Sequence, residues 1–512
     1  MPRIADRFAG AVVGLSAAAG VLVAYVLTLA PGVVWAGAGI DSGDLAAAVA
    51  VGGVPHPTGY PTLMLLGLAV RAIPLGDLAL RLNVLTALAA AGSLVPLGLL
   101  AARLRPSAGT PMPLPEAAGG STVLALYGLA PLIWSNAIVT EVYALAGLFL
   151  WGALYAGVRA RVCLDAGRGW RWAVASGVLL GIGVGAHLTV ALAVPALAAV
   201  LLSERVTRRG AIRRGALVAA SIAAGCMVYA YLPIAASLDP PINWGAPSTP
   251  ERFWSVVSAE IYHSRVGARE PGAVASKAAW LLGEIVRQLT WVILPLLGAG
   301  GVALTRRNRP VALATVWLAV SALAVGAVYN SRDDEVFILS ALAVSALWSA
   351  LGVCEVGRLA WLAGGGARRL VAGTLAAILI ITALIRGTEL VPAISMRNAT
   401  HAGAFAHALL AQADPDSVIL TEDDRATFAL WYERHGAGGR SDVTIVDQRL
   451  WQFAWYREIL HRRAGIPTEA SPSTALANGI WPSDRTLWAV DIAVTGDRSA
   501  DVLATVRVLE PP

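Results

Sequence analysis

Long apolar runs separated by short polar turns dominate the chain, for instance Phe8 to Ala30, Ala216 to Ala236 and Pro310 to Val328. Each approaches the roughly 20 residues that a helix needs to cross a bilayer. The first run is too long for a secretory signal and lacks a convincing cleavage site, so it reads as a retained anchor. Basic clusters punctuate the runs at Arg3/Arg7, Arg103/Arg105, Arg159 to Arg171, Arg205 to Arg214, Arg306 to Arg309 and Arg368/Arg369. If every cluster is cytoplasmic, the chain crosses twice between consecutive clusters, giving about eleven spans with the N-terminus inside. The expected spans are 8–30, 80–102, 121–137, 142–158, 173–186, 188–202, 216–236, 285–304, 310–328, 336–352 and 370–386. The stretch from Trp172 to Leu202 admits one tilted helix or two short spans around His187. Only two spans keep the later arginine clusters inside.

From about Asn398 the pattern changes. Charges become frequent, and SVIL (417–420) and DVTIV (442–446) read as short strands between helical stretches at 424–435 and 453–464. The expected architecture is an all-α polytopic membrane domain over 1–390 and a small extracytoplasmic α/β domain over 398–512. The latter has no glycine-rich phosphate loop and no nucleophile elbow.

Composition sharpens the class. Hydrophobic residues make up 57% of the 512 and charged residues only 14%, too few charges to cover a water-facing surface. The net charge of +6 does not point to nucleic acid, because the arginines sit at the ends of apolar runs. Cys163, Cys226 and Cys354 lie in or near expected spans without metal-ligand spacing and read as small buried hydrophobes. The alanine, glycine and arginine bias, with Lys277 the single lysine, points to a GC-rich bacterial genome and hence a plasma membrane.

The topology gathers the unusual polar residues on one face. The first outer loop carries Asp41-Ser-Gly-Asp44 and His56-Pro-Thr-Gly-Tyr60-Pro61. Later outer turns carry Glu141-Val-Tyr143, then His187, then Asn243-Trp244 and Tyr262-His263, then Tyr329 through Glu335, including Arg332 and Asp333. Acids near bilayer depth are expensive and are functional candidates by default. Bland alternatives stand beside each: Asp41 as a helix cap, 55–61 as a rigid turn, Glu141 as a cap, His187 as an interhelical hydrogen bonder, and 333–335 as a solvated turn. Arg81 breaks the charge rule on the outer side, which suggests an anionic partner.

Asp41-Ser-Gly-Asp44 followed by His56-Pro-Thr-Gly-Tyr60-Pro61 resembles the N-terminal signature of a membrane family related to protein O-mannosyltransferases, within the GT-C superfamily. Glu141-Val-Tyr143, His187-Leu-Thr189, Tyr231-Leu-Pro233, Asn243-Trp244-Gly245 and Tyr329 through Phe337 extend the resemblance, in order, over most of the chain. Asp44 departs from the glutamate more usual there, and Thr58 from proline. The resemblance implies a GT-C scaffold with its active site on the extracytoplasmic side. It also implies a polyprenyl-phosphate-linked sugar donor, possibly mannose, and inversion at the anomeric carbon.

On that reading an acceptor hydroxyl on protein, lipid or glycan must lose its proton as it attacks, and Asp41 is the expected base. The leaving phosphate needs cations and donors rather than a second acid, with His56, Arg81, His187 and Arg332 as candidates. Asp44 and Glu141 complete the catalytic set by binding sugar hydroxyls, orienting the acceptor or holding a cation. Tyr60, Asn243, Trp244 and Asp333 complete the substrate-binding set. No organic cofactor and no nucleic acid are expected, and these acids do not determine whether a metal is needed. A transporter or lipid flippase, or a noncatalytic envelope-assembly scaffold, are the competing classes. Convergence of Asp41, Glu141 and His187 on one outer cavity separates the enzyme from both.

Overall fold

The computed structural model describes residues 2–509 apart from 36–38, 107, 109–110, 163–168, 203–207, 332, 479–480, 482–484 and 495–501. Cys163 and Arg332 therefore lie outside the described residues. The first half of the chain forms α1 (Pro2–Thr28), α2 (Ser42–Val51), α3 (Pro61–Arg71), α4 (Leu78–Leu104), α5 (Leu114–Gly128), α6 (Pro131–Ala137), α7 (Tyr143–Val162), α8 (Gly169–Ala186), α9 (Ala193–Leu201), α10 (Arg208–Gly225) and α11 (Tyr231–Ser237). Then follow α12 (Pro250–Val257), α13 (Pro271–Leu289), α14 (Leu294–Arg307), α15 (Arg309–Val328), α16 (Leu339–Leu362) and α17 (Gly365–Ile394).

Among the described residues, seven helical segments are long and apolar enough to cross a membrane, and two bent pairs raise the number to nine. The remaining two expected spans fall on α8 and on a shorter apolar helical stretch, Leu188–Leu201. The backbone breaks at His187, as the two-span reading of 172–202 requires. Two expected spans were drawn too straight. The 121–137 segment bends by 68° between α5 and α6, where Pro131 starts a new helix. The region around 285–304 bends by 93° between α13 and α14, where Thr290 takes a left-handed φ of 73°.

The bundle shows how a membrane protein packs without a hydrophobic gradient between its helices. Small residues let backbones approach. A Cβ on Gly98 of α4 would lie 2.6 Å from the backbone of Gly14 on α1. Helices α4 and α16 are inner elements, while the apolar windows of 209–237 and 367–394 are only 22% and 17% buried. Leu370, Ile381 and Leu384 of α17 stand exposed. An apolar face of that size is tolerable only against lipid.

Beyond the bundle come α18 (His401–Gln412), β1 (Val418–Thr421), α19 (Asp424–His435), β2 (Thr444–Asp447), α20 (Ala454–Ala464), α21 (Pro472–Ala477), β3 (Leu487–Val494) and β4 (Val502–Leu509). The sheet order is β2-β1-β3-β4, with β1 parallel to β2 and β3, and β4 antiparallel at the edge. β1 and β2 are buried throughout, as parallel strands covered on both faces must be. This α/β region shares one apolar core with the bundle's first loop. Phe428, Leu430 and Trp431 of α19 pack with Trp35, Ala47, Val49 and Leu82. Trp35 Nε1–H donates to the carbonyl of Arg425 (2.8 Å), and the Tyr432 hydroxyl donates to Asp77 (2.6 Å). The sheet region is thus seated on the loops, not tethered beside them.

Candidate functional site

Asn83 near the start of α4 organises the loops that carry the site. Its buried amide donates to the carbonyls of Ala30 (3.0 Å) and Gly32 (3.1 Å) and accepts from the Thr140 hydroxyl (2.6 Å). The loop leading to Asp41 and the loop carrying Glu141 are thereby held against each other.

Asp41 occupies the N-cap position of α2 but makes no capping hydrogen bond. Its carboxylate is therefore not used up by the helix, and 43% of the side chain is exposed to the cleft. Asp44, one turn on, reaches the other ring nitrogen of His56 and is fully buried. Three donors reach it: the His56 backbone N–H (3.0 Å), His56 Nδ1 (2.7 Å) and Trp244 Nε1 (3.0 Å). A buried carboxylate accepting three hydrogen bonds fixes the groups that donate to it.

His56 links the two acids, its Nε2 lying 3.7 Å from Asp41. The Tyr60 hydroxyl is 3.1 Å from the same nitrogen and donates to the Pro57 carbonyl (3.3 Å). Nδ1 faces Asp44 and Nε2 faces Asp41, so a ring protonated at both nitrogens serves both acids. The imidazole is then a cation. Burial works against that charge, but Asp41 and Asp44 outweigh it and raise the His56 pKa to about 9. Burial raises Asp41 to about 6, with cationic His56 pulling it down and Asp44 pushing it up. The 55–61 stretch is a rigid turn that also builds the site. Tyr60 takes a left-handed φ of 38°, a costly conformation for a bulky residue, with its ring stacked on His187 (6.4 Å between centroids).

Glu141 is 5% exposed, and burial, then Asp41, push its carboxyl well above the usual range. It stands as a neutral acid beside an ionisable one. His187 accepts the Thr189 backbone N–H at Nδ1 (3.3 Å), which places its proton on Nε2. Burial, then the His56 cation, lower its pKa to about 4, so it is a neutral donor. Its ring also meets Tyr143 (5.1 Å) and Phe337 (6.5 Å). Beneath these rings a partly open apolar cavity, about 890 Å³ with the solvent space it shares, runs among α4, α6, α7, α15 and α16, walled by Tyr127, Trp151, Val190, Leu318 and Val336.

Asp41, Asp44, His56, Tyr60, Glu141, His187 and Trp244 therefore come together, and Asp333 stands exposed near enough to shift Asp41 and Glu141. Asn243 lies behind them: its backbone bridges to Val54, which aims Trp244 at Asp44. Arg81 is elsewhere, its guanidinium donating to the carbonyls of Val70 (3.0 Å), Arg71 (3.2 Å) and Ile73. These carbonyls of the α3–α4 turn take the place of the anionic partner expected from its position. Arg332 lies outside the described residues. The sequence did not single out Arg265, which stacks on Tyr262 (4.9 Å), a ring whose proton affinity Asp41 raises. An arginine in a loop that the charge rule would place on the outer side was the available signal. Nor did it single out the aromatic roof of Phe428, Trp431 and Trp455, all within 6.4 Å of Trp244. Among the described residues no three His, Cys, Asp or Glu side chains group as metal ligands.

The chain is similar to known proteins in sequence and in fold. Residues 41–210 match the protein O-mannosyl-transferase TMEM260 N-terminal domain, and residues 402–476 match TMEM260-associated domain 2. Protein O-mannosyl-transferase TMEM260 of Mus musculus is 27% identical over 445 residues, 82% of this chain; the chain spans 60% of that relative's length. ArnT from Cupriavidus metallidurans, solved bound to undecaprenyl phosphate, superposes with a TM-score of 0.59 at 15% identity, covering 95% of this chain and 96% of that one. The Archaeoglobus fulgidus oligosaccharyltransferase in its apo form gives a TM-score of 0.54 at 13% identity, covering 94% and 69%. The sequence similarity is to an O-mannosyltransferase-like membrane family, and the shared fold is the GT-C fold.

Proposed function

From a multi-pass membrane protein with an O-mannosyltransferase-like sequence and a GT-C fold, we propose a glycosyltransferase. It moves a sugar, mannose in the first instance, from a polyprenyl-phosphate donor to an acceptor hydroxyl, with inversion. The organisation that goes with this is a transmembrane domain over 1–390 with a cytoplasmic N-terminus, and an extracytoplasmic domain over 398–512, in a plasma membrane. One observation carries the reading: a half-exposed, uncapped Asp41 stands 3.7 Å from His56, in a cluster where Tyr143 and Phe337, the rings against His187, line an apolar cavity.

In the reaction, Asp41 takes the acceptor O–H proton while the oxygen forms its bond to the anomeric carbon. The bond from that carbon to the phosphate oxygen breaks, and its electron pair leaves with the phosphate. His187 Nε2–H and Arg265 meet the departing anion, and Arg332, next to Asp333 in the sequence, is a further candidate. Glu141, neutral, donates to a sugar or phosphate oxygen. Asp44 does not touch substrate. It is a positioning residue that keeps His56 charged and His56 beside Asp41. The apolar cavity takes the first isoprene units of the donor, and apolar burial at about 25 cal/mol per Å² supplies donor affinity.

The test supplies isolated membranes with labelled polyprenyl-phosphate mannose, glucose or arabinose and endogenous acceptors, and follows label into acid-stable product. Transfer from one of these donors, dependent on the chain, is the expected result. Equal incorporation in membranes lacking the chain refutes the transferase.

A further inference from the structure

A second large cavity lies within the α/β region, at the amino ends of β1 and β2, enclosing about 1060 Å³ of space shared with solvent. The carboxyl ends of the same strands lead to Asp424, whose charge is felt at Asp41, so the two sites lie at opposite ends of the sheet. Arg434 from the last turn of α19, Arg463 from the last turn of α20, and Arg485 before β3 converge on this cavity.

Their charge is poorly compensated. Arg434 donates to the Ser441 carbonyl (2.8 Å), while its Nε is buried without a partner. Arg485 donates to the carbonyls of Asp416 (3.1 Å) and Ala464 (2.8 Å). Neither meets a carboxylate among the described residues. Arg463 donates to the Asp239 carbonyl and meets the Asp239 carboxylate only at 3.7 Å, and Asp442 on the cavity wall is taken by Arg440. The result is felt by His435 beside them: burial, then Arg434 and Arg463, drive its pKa down to about 3. Two guanidinium forks without a carboxylate, next to a neutral imidazole, form a ready oxyanion site. The cavity is larger than one oxyanion, and Trp431 and Tyr456 give it flat apolar walls.

We propose that this cavity binds a phosphate or carboxylate group carried on a small polar molecule such as a sugar, gripped by Arg434 and Arg485. Trp431 also contacts Trp244 (6.2 Å), the donor to Asp44, so an occupant would sit against the cluster that steadies the first site. The inference does not depend on transferase activity.

The purified full chain in detergent is titrated with sodium phosphate, glucose 6-phosphate and glucuronate, against sodium chloride at equal ionic strength, with Tm as the readout. A saturable rise in Tm is expected. Arg434→Gln and Arg485→Gln should each raise the apparent Kd at least tenfold, while Arg462→Gln, which pairs with Asp239, should not. Preference for glucose 6-phosphate or for glucuronate identifies the oxyanion, and either supports the site. If Arg434→Gln does not fold, Arg434→Lys, which keeps the charge and loses the fork, should weaken binding as well. Chloride matching every probe, or both arginine variants binding as wild type, overturns the proposal. Asp41→Asn should bind the probes normally, which separates failure here from failure of the transferase reading.

Discussion

Gly43 lies between the two first-loop acids at the point where α2 meets α19, and replacing it with alanine tests whether that seating matters. A Cβ there would meet the Phe428 carbonyl oxygen at 2.6 Å and its carbon at 2.7 Å. Ordinary contact begins at 3.4 Å, so the helices must part by about 0.8 Å. The atoms in the way are backbone, which no rotamer change can relieve. Overpacking of this kind costs about 1–3 kcal/mol. A shift of about 1 Å in a catalytic group costs on the order of 100-fold in rate. Gly43→Ala should therefore lower Tm modestly and sugar transfer severely. Gly20→Ala, whose new Cβ meets nothing within 4 Å, should change neither. The assays are thermal unfolding in detergent and initial transfer rates at matched expression. Wild-type Tm and rate in Gly43→Ala would refute the seating of α19 on α2 and the coupling drawn from it.

Three further outcomes follow from the site. Transfer should show a bell-shaped pH profile: it falls below about pH 6 as raised Asp41 gains its proton, and falls above about pH 9 as His56 loses its own. In Asp44→Asn the upper limb should move to lower pH, because the carboxylate that holds the imidazolium is gone; an unmoved limb counts against the His56 assignment. Trp244→Phe keeps most of the aromatic packing but removes one donor from a buried carboxylate, a loss of about 1.5–3 kcal/mol, read as lower Tm with reduced transfer. Ala146→Phe fills the apolar cavity and should raise KM for a long-chain donor several-fold while sparing a short-chain analogue; equal effects on both would remove the cavity from donor binding.

Much of this was legible in the chain because membrane physics is strict. Apolar runs bounded by arginines located most of the helical segments, and Asp44, His56, Tyr60, Glu141, His187 and Trp244 fell together around Asp41 while Arg81 did not. The bends at Pro131 and Thr290 were not legible, since an apolar run keeps its periodicity through a bend. Helix α19 and strands β1 and β2 lie near their expected positions, whereas β3 and β4 escaped notice: β3 pairs with β1 across more than sixty residues. The unequal burial of Asp41 and Asp44 was also hidden. Spacing of three puts both on one helical face, but Asp41 stands at the cap, outside the helix proper. The aromatic roof from Trp431 and Trp455 is a contact between distant parts of the chain, and no local pattern announces it.

The central claim is that Asp41 is the base for sugar transfer, and the measurement is transfer from labelled polyprenyl-phosphate sugar by Asp41→Asn and wild type, at equal amounts of folded protein. The account predicts a loss of at least 1,000-fold in rate, of the order general-base removal produces, with donor binding and Tm near wild type. Transfer by Asp41→Asn within a few-fold of wild type would contradict it and move the chemistry away from this carboxylate.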